Sequence, residues 1–133
     1  MRKKFQVASE LVNVQKTSTD VLSFLKPLGI SEAAQFDIRL CLEEALVNAM
    51  KYGNALKKDV PVELEVEGSP NEVRITVEDR GPGFDAKKLP DCTDEENLLR
   101  GHGRGVYLMH RLMDEVRYNE KGNRLLMVKS LKK

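Results

Sequence analysis

The sequence predicts a single-domain, two-layer α/β (α+β) sandwich: a mainly antiparallel sheet with helices on one face. Three observations carry that expectation. Residues 61–67 and 72–79 alternate apolar with polar side chains, the period of a half-buried strand, and the turn Gly68-Ser69-Pro70-Asn71 joins them. Residues 10–26 and 31–52 space their apolar residues as helices do. The 133 residues, taken as one domain spanning 1–133, are enough to bury a core without disulfides or structural metal.

The elements follow in order. Residues 3–8 read as a short first strand. In 10–26, Leu11, Val14, Val21, Leu22 and Leu25 recur at helical spacing, and Pro27 and Gly29 end the run. Ser31 suits the N-cap of the next helix, which continues to about Tyr52, where Gly53-Asn54 offers a C-terminal stop. Val62, Leu64 and Val66, then Val73, Ile75 and Val77, point inward from an antiparallel hairpin whose glutamates face water. Residues 80–103 lack periodicity and read as a flexible cover, with one short helical turn near 95–99. Val106, Met109, Leu112 and Met113 share one side of a helix over 104–113. Two last strands, 115–120 and 124–131, flank the hairpin turn Lys121-Gly122-Asn123.

A 41% hydrophobic, 32% charged composition is that of a soluble globular chain rather than a disordered one. The formal net charge of +1 supplies no bulk field toward nucleic acid or an anionic membrane, so any anion binding must be local. After Met1-Arg2-Lys3-Lys4, polar residues Gln6, Ser9, Glu10 and Asn13 interrupt any secretory or membrane-spanning run. Cys41 sits in an apolar helical pattern and Cys92 in an acidic loop; no disulfide framework forms from two such residues, and a cytoplasmic location fits. The acidic run 91–96 lacks calcium-loop spacing, and His102 and His110 read as solvated.

On a wheel of about 100° per residue, Ile38, Leu42, Ala45, Leu46 and Ala49 form one apolar face of the second helix. Arg39 and Glu43 mark a solvated edge, with Phe36 and Met50 near it. Glu44 and Asn48 fall about 40° apart, among Leu40, Cys41 and Val47. A carboxylate among apolar neighbours needs a partner or a task. A salt bridge to Lys51 or to the sheet is one answer. Another is chemical: an amide oxygen is a hard ligand for Mg²⁺, and a carboxylate one turn away can take a proton from an attacking hydroxyl.

Asp79 closes a strand into Arg80-Gly81-Pro82-Gly83-Phe84. Gly81 and Gly83 remove side chains where backbone passes close to a ligand or takes positive φ, and Phe84 can floor an apolar pocket. An Asp at such a turn can accept from the exocyclic amine of adenine; a local Asp turn explains it equally. Gly101-His102-Gly103-Arg104-Gly105 opens a helix with backbone N–H groups that bind phosphate readily, and Arg100 and Arg104 add charge. A hinge is the alternative. The segment has neither the Lys-Ser/Thr ending of a P-loop nor a strand directly before it.

Together, Glu44-x-x-x-Asn48-Ala49, Asp79-x-Gly81-x-Gly83-Phe84 and Gly103-x-Gly105 resemble the histidine-kinase-like ATPase superfamily, the Bergerat ATP-binding fold. The stretch from Cys41 to Asn54 is similar to that of a freestanding branch, bacterial anti-sigma factors that are serine-protein kinases. The resemblance covers nearly the whole chain. It implies ATP with Mg²⁺ between helices and sheet. It casts Glu44 as catalytic base, Asn48 as metal ligand and Asp79 as adenine contact. Gly81 and Gly83 would shape the base pocket, and Gly103, Arg104 and Gly105 would meet the phosphates. It implies a sigma factor and a small anti-sigma antagonist protein as partners, and a homodimer, with no direct nucleic-acid or membrane contact. A nucleotide-dependent regulator that grips a protein without phosphorylating it is the alternative reading.

Overall fold

The computed structural model describes residues 1–81 and 108–131. The expectations placed on Gly83, Phe84, Gly101, Gly103, Arg104 and Gly105, and on the cover segment and Cys92, lie outside the described residues.

The strands are β1 (Arg2–Val7), β2 (Val62–Gly68), β3 (Glu72–Glu78), β4 (Glu115–Tyr118) and β5 (Arg124–Ser130). They form one sheet in the order β1-β2-β3-β5-β4, with every neighbouring pair antiparallel. One rung crosses the whole sheet through Phe5, Leu64, Val77, Leu125 and Tyr118. The helices are α1 (Asn13–Leu25) and α2 (Glu32–Asn48), and residues 108–112 are also helical. Alternation decides which sheet face is inside: Val62, Leu64, Val66, Val73, Ile75, Val77 and Met127 are buried with Ile38, Leu42, Leu46 and Met109 in one core. The opposite face carries exposed ion pairs, among them Arg2 with Glu65 at 2.8 Å. Such pairs add solubility more than stability.

α2 starts where the cap chemistry places it, with the Ser31 hydroxyl accepting from the Ala34 N–H at 3.2 Å. Its far end differs from expectation. After Asn48 the chain widens into a π turn, Ala49–Gly53, closed by the Asn54 N–H on the Ala49 carbonyl at 2.8 Å. A π turn takes more residues per turn than an α turn, so wheel positions beyond Asn48 rotate. Met50, expected near the wet edge, is therefore fully buried, whereas Phe36 is exposed. Gly53 is not the left-handed stop either. After this turn it is Ala55 and Leu56 that are left-handed, with φ of 52° and 56°.

The edge marked by Arg39 and Glu43 is a seam rather than open surface. The Ser18 hydroxyl of α1 donates to Glu43 Oε2 and accepts from Arg39 Nη1 at 3.2 Å, which ties α1 to α2. Helical periodicity separates apolar from polar positions but does not separate water from a polar partner.

A second polar tie runs through the core margin. Lys129, on the helix-facing side of β5, donates to Asp37 Oδ2 of α2 at 3.0 Å and to the Leu112 carbonyl at 2.7 Å. It joins sheet, α2 and the helical segment 108–112. Lys129→Met leaves Asp37 and that carbonyl without their donor in a mostly buried setting. It should cost about 1–3 kcal/mol in urea unfolding; an unchanged midpoint would show the tie to be idle.

Candidate functional site

Where β3 ends, the Asp79 N–H donates to the Asn123 carbonyl at 2.9 Å, and Asn123 Nδ2 donates back to the Asp79 carbonyl at 3.1 Å. The β4–β5 hairpin thus fixes the backbone from which the Asp79 side chain projects. One carboxylate oxygen, Oδ1, accepts from the Gly81 N–H at 2.8 Å. Burial pushes the carboxyl above its usual range and Glu78 adds to the rise; the Gly81 N–H and Lys121 oppose it.

The π turn supplies the other wall. A Cβ on Gly53 would overlap the Asp79 carboxyl, and a Cβ on Gly81 would overlap the Gly53 carbonyl. The end of α2 and the exit of β3 therefore meet at backbone contact, which only glycine permits on both sides. Gly81 is needed for a reason the sequence reading did not name: its backbone approaches that of Gly53, and its φ is not positive.

Beside this contact lies a cleft of about 50 Å³. Asn48, Tyr52 and Gly53 line it from the helix side, Asp79 from β3, and Tyr118 and Asn123 from the β4–β5 hairpin. Its lining, apolar side chains with a few convergent polar groups, is of the kind a small-molecule site has. The Asn48 amide nitrogen is buried there with no hydrogen-bond partner among the described residues. A buried amide N–H left unpaired costs about 1–3 kcal/mol, which an acceptor placed in the cleft would offset. Burial, with a smaller contribution from the Asp79 charge, pushes the Tyr118 phenol up to about 12, so it remains neutral.

Glu44 lies one turn before Asn48, half-buried, and makes no hydrogen bond or ion pair among the described residues. The salt bridge to Lys51 is not formed; the Lys51 ammonium stands 5.7 Å from the Tyr52 ring centre instead. Glu44 is not part of the cleft wall formed by the described residues. The structure thus brings Asn48, Asp79 and Gly81 together and leaves Glu44 adjacent on the same helix. Glu43, the carboxylate next to Glu44 in sequence, is committed to Ser18 and Arg39. Cys41 is a core thiol, fully buried and pushed up to about 12 chiefly by that burial.

The sequence reading missed Gly53, Tyr118, Asn123 and Asn54 as parts of this site. Asn54 Oδ1 accepts from the Arg80 N–H at 2.8 Å. Gly53-Asn54 was legible only as punctuation, and Tyr118 and Asn123 only as strand and turn. The pairing that brings them to Asp79 is long-range and leaves no local pattern.

Comparison with known proteins follows the same lines. The family described as histidine kinase-like ATPase domain matches residues 7–129. A serine-protein kinase RsbW of Staphylococcus aureus is 32% identical over 105 residues, covering 73% of this chain and 66% of that protein. The RsbW of Staphylococcus epidermidis gives the same figures, so the match spans slightly under two thirds of the length of these relatives, 66%. The anti-sigma F factor of Clostridium novyi is 28% identical over 135 residues, covering 97% of this chain and 94% of that protein. The crystal structure of the RsbU and RsbW domains of Rv1364c from Mycobacterium tuberculosis superposes with a TM-score of 0.66 over 99% of this chain and 32% of that one. At 13% identity that likeness is one of fold. With its sheet order, its cleft at the end of α2 and a match running nearly end to end, this chain belongs to the histidine kinase-like ATPase domain family.

Proposed function

We propose that this chain binds ATP with Mg²⁺ in the cleft and transfers the terminal phosphoryl group to a serine of a small antagonist protein. In the same proposal it sequesters a sigma factor, so that phosphorylation switches partners. It acts in the cytoplasm as a homodimer. The observation that carries this reading is that Asp79 and Asn48 line one cleft, where the Asn48 amide nitrogen has no partner among the described residues and can donate to a ligand oxygen. The names of the relatives, serine-protein kinase and anti-sigma F factor, support the choice of reaction and partner.

Each residue has a distinct task. With Oδ1 of Asp79 held by the Gly81 N–H, the second oxygen accepts from the exocyclic amine of adenine. The oxygen of the Asn48 amide is the metal ligand. Among the described residues no cluster of three or more His, Cys, Asp or Glu could cage a metal. That fits Mg²⁺, which keeps most of its shell for phosphate oxygens and water. When bound, the metal neutralises charge on the phosphates. Glu44 takes the proton of the serine hydroxyl as its oxygen bonds to phosphorus and the bond to ADP breaks. Gly101, Gly103, Arg104 and Gly105 hold the phosphates, and Gly83 and Phe84 complete the base pocket.

Calorimetric titration and phosphotransfer from labelled ATP to the antagonist separate these tasks. Asn48→Ala should weaken magnesium-dependent ATP binding about tenfold or more. Glu44→Gln should keep ATP affinity within about twofold and lose about 10²–10⁴ in transfer rate. Transfer at the wild-type rate in Glu44→Gln removes Glu44 as base. ATP binding without transfer in the wild type leaves a nucleotide-dependent gripping protein instead.

Asp79→Asn makes a sharper prediction. The Gly81 N–H keeps the amide oxygen turned toward itself, so an NH₂ donor faces the base where an acceptor stood. Inosine triphosphate, which carries a carbonyl in place of the amine, should then bind better than ATP. Competition titration reads this directly, and an unchanged order of affinity refutes the contact.

Acidity acts in two opposite senses. Because burial raises the Asp79 pKa, its stabilising contribution is full below the unfolded-state value and is lost as pH rises through the raised folded value. ATP affinity needs the carboxylate, so it should fall as pH drops through that same raised value. The Asp79→Asn variant should lose the Asp79 component of both profiles, while the contributions of other groups such as Glu65 remain.

A further inference from the structure

We infer that Asn54 is a positioning residue for base recognition: it holds the Asp79-Arg80-Gly81 turn in the register that presents the Asp79 carboxylate to the cleft. The inference rests on the Asp79–adenine contact proposed above and extends it to a residue that touches no ligand.

Among the described residues Asn54 is one of the few buried polar side chains, at 4% exposure, and both its amide nitrogen and oxygen are hydrogen-bonded. Its Nδ2 donates to Ser9 Oγ at 3.1 Å, to the Val60 carbonyl at 3.1 Å and to the Pro61 carbonyl at 3.2 Å. Its Oδ1 accepts from the Arg80 N–H at 2.8 Å. Ser9 Oγ in turn donates to the Val60 carbonyl. One amide therefore gathers the β1–α1 connection, the approach to β2, the end of α2 and the exit of β3.

Donors and acceptor do different work. The Nδ2 contacts fix Asn54 to segments away from the cleft. The single Oδ1 contact falls on the residue between Asp79 and Gly81, both of which form the recognition turn. Without it the part-buried Arg80 N–H loses the acceptor that ties the turn to Asn54, and the turn can leave the Gly53 backbone that it packs against. Ala55 and Leu56 follow in left-handed conformations that non-glycine residues adopt at a cost. The Leu56 N–H donates to the Met50 carbonyl at 2.8 Å and closes that bend onto the end of the helix.

The division of labour separates positioning from mere stability. Asn54→Ala removes both functions. Asn54→Asp keeps an oxygen for the Arg80 N–H but turns a carboxylate toward the Val60 and Pro61 carbonyls, so it destabilises while preserving the acceptor. Ser9→Ala removes one outer partner only. The readout is the ratio of ATP to inosine triphosphate affinity on the full chain, measured beside the melting temperature. In wild type the ratio should be about tenfold or more. Asn54→Ala should bring it to within about threefold, Asn54→Asp should hold it near wild type, and Ser9→Ala should leave it unmoved, while all three lower the melting temperature.

A folded Asn54→Ala with the wild-type ratio overturns the inference. So does an Asn54→Asp variant that loses the ratio, which decides the matter even where the alanine variant does not fold. If Asp79→Asn itself leaves the ratio unchanged, the adenine contact fails and takes this inference with it. If Asp79→Asn shifts the ratio and Asn54→Ala does not, only the role of Asn54 falls.

Discussion

The site depends on one contact without side chains: the end of α2 and the exit of β3 touch through the backbones of Gly53 and Gly81, with the Asp79 carboxyl packed in the same space. Everything that makes the cleft selective is referred to that contact. It sets the depth at which Asp79 sits, and burial at that depth raises its pKa. It brings the last α-helical turn, with Asn48, to the same opening. A methyl group on either glycine would push apart two elements whose separation defines the pocket. The sheet supplies the rigid half of this arrangement, because β3 is paired on both sides and Asp79 is bonded back to the β4–β5 turn.

Two polar ties keep the helices in place over that sheet. Ser18, Arg39 and Glu43 lock α1 to α2 near its middle. Lys129 fastens α2 through Asp37, and through the Leu112 carbonyl fastens the helical segment that follows residues 82–107. Glu44 and Asn48 are left outside both ties. Side chains that structure does not use, on a helix otherwise committed to packing and to polar seams, are what a ligand site needs. The same separation explains why Glu43, next in sequence to Glu44, has partners among the described residues and Glu44 has none among them.

How much of this was legible in the sequence follows from the range of each interaction. The β2–β3 hairpin, the inward set Val62, Leu64, Val66, Val73, Ile75 and Val77, and the Ser31 cap could be read because alternation and capping are local. The apolar face of α2 was legible up to Asn48. Beyond it the wheel failed for Met50, because a π turn changes the angular step and has no signature in composition. Arg39 and Glu43 were misplaced for a different reason: a polar seam and a wetted face look alike in one dimension. Asn48, Asp79 and Gly81 could be named from motif chemistry. Gly53, Asn54, Tyr118 and Asn123 could not, since their roles arise from contacts across 26 residues for Asn54 to Arg80 and 44 for Asn123 to Asp79.

The central claim is that the cleft between the α2 π turn and the exit of β3 is where the nucleotide base sits. Amide chemical-shift mapping of the ¹⁵N-labelled chain during titration with ATP and Mg²⁺ tests it most directly. Among the described residues, the largest shifts should gather at residues 45–54, 77–81 and 118–125, while Arg2, Lys4 and Glu65 on the outer sheet face stay still. Saturable shifts centred on that outer face, or none at millimolar nucleotide, would contradict it.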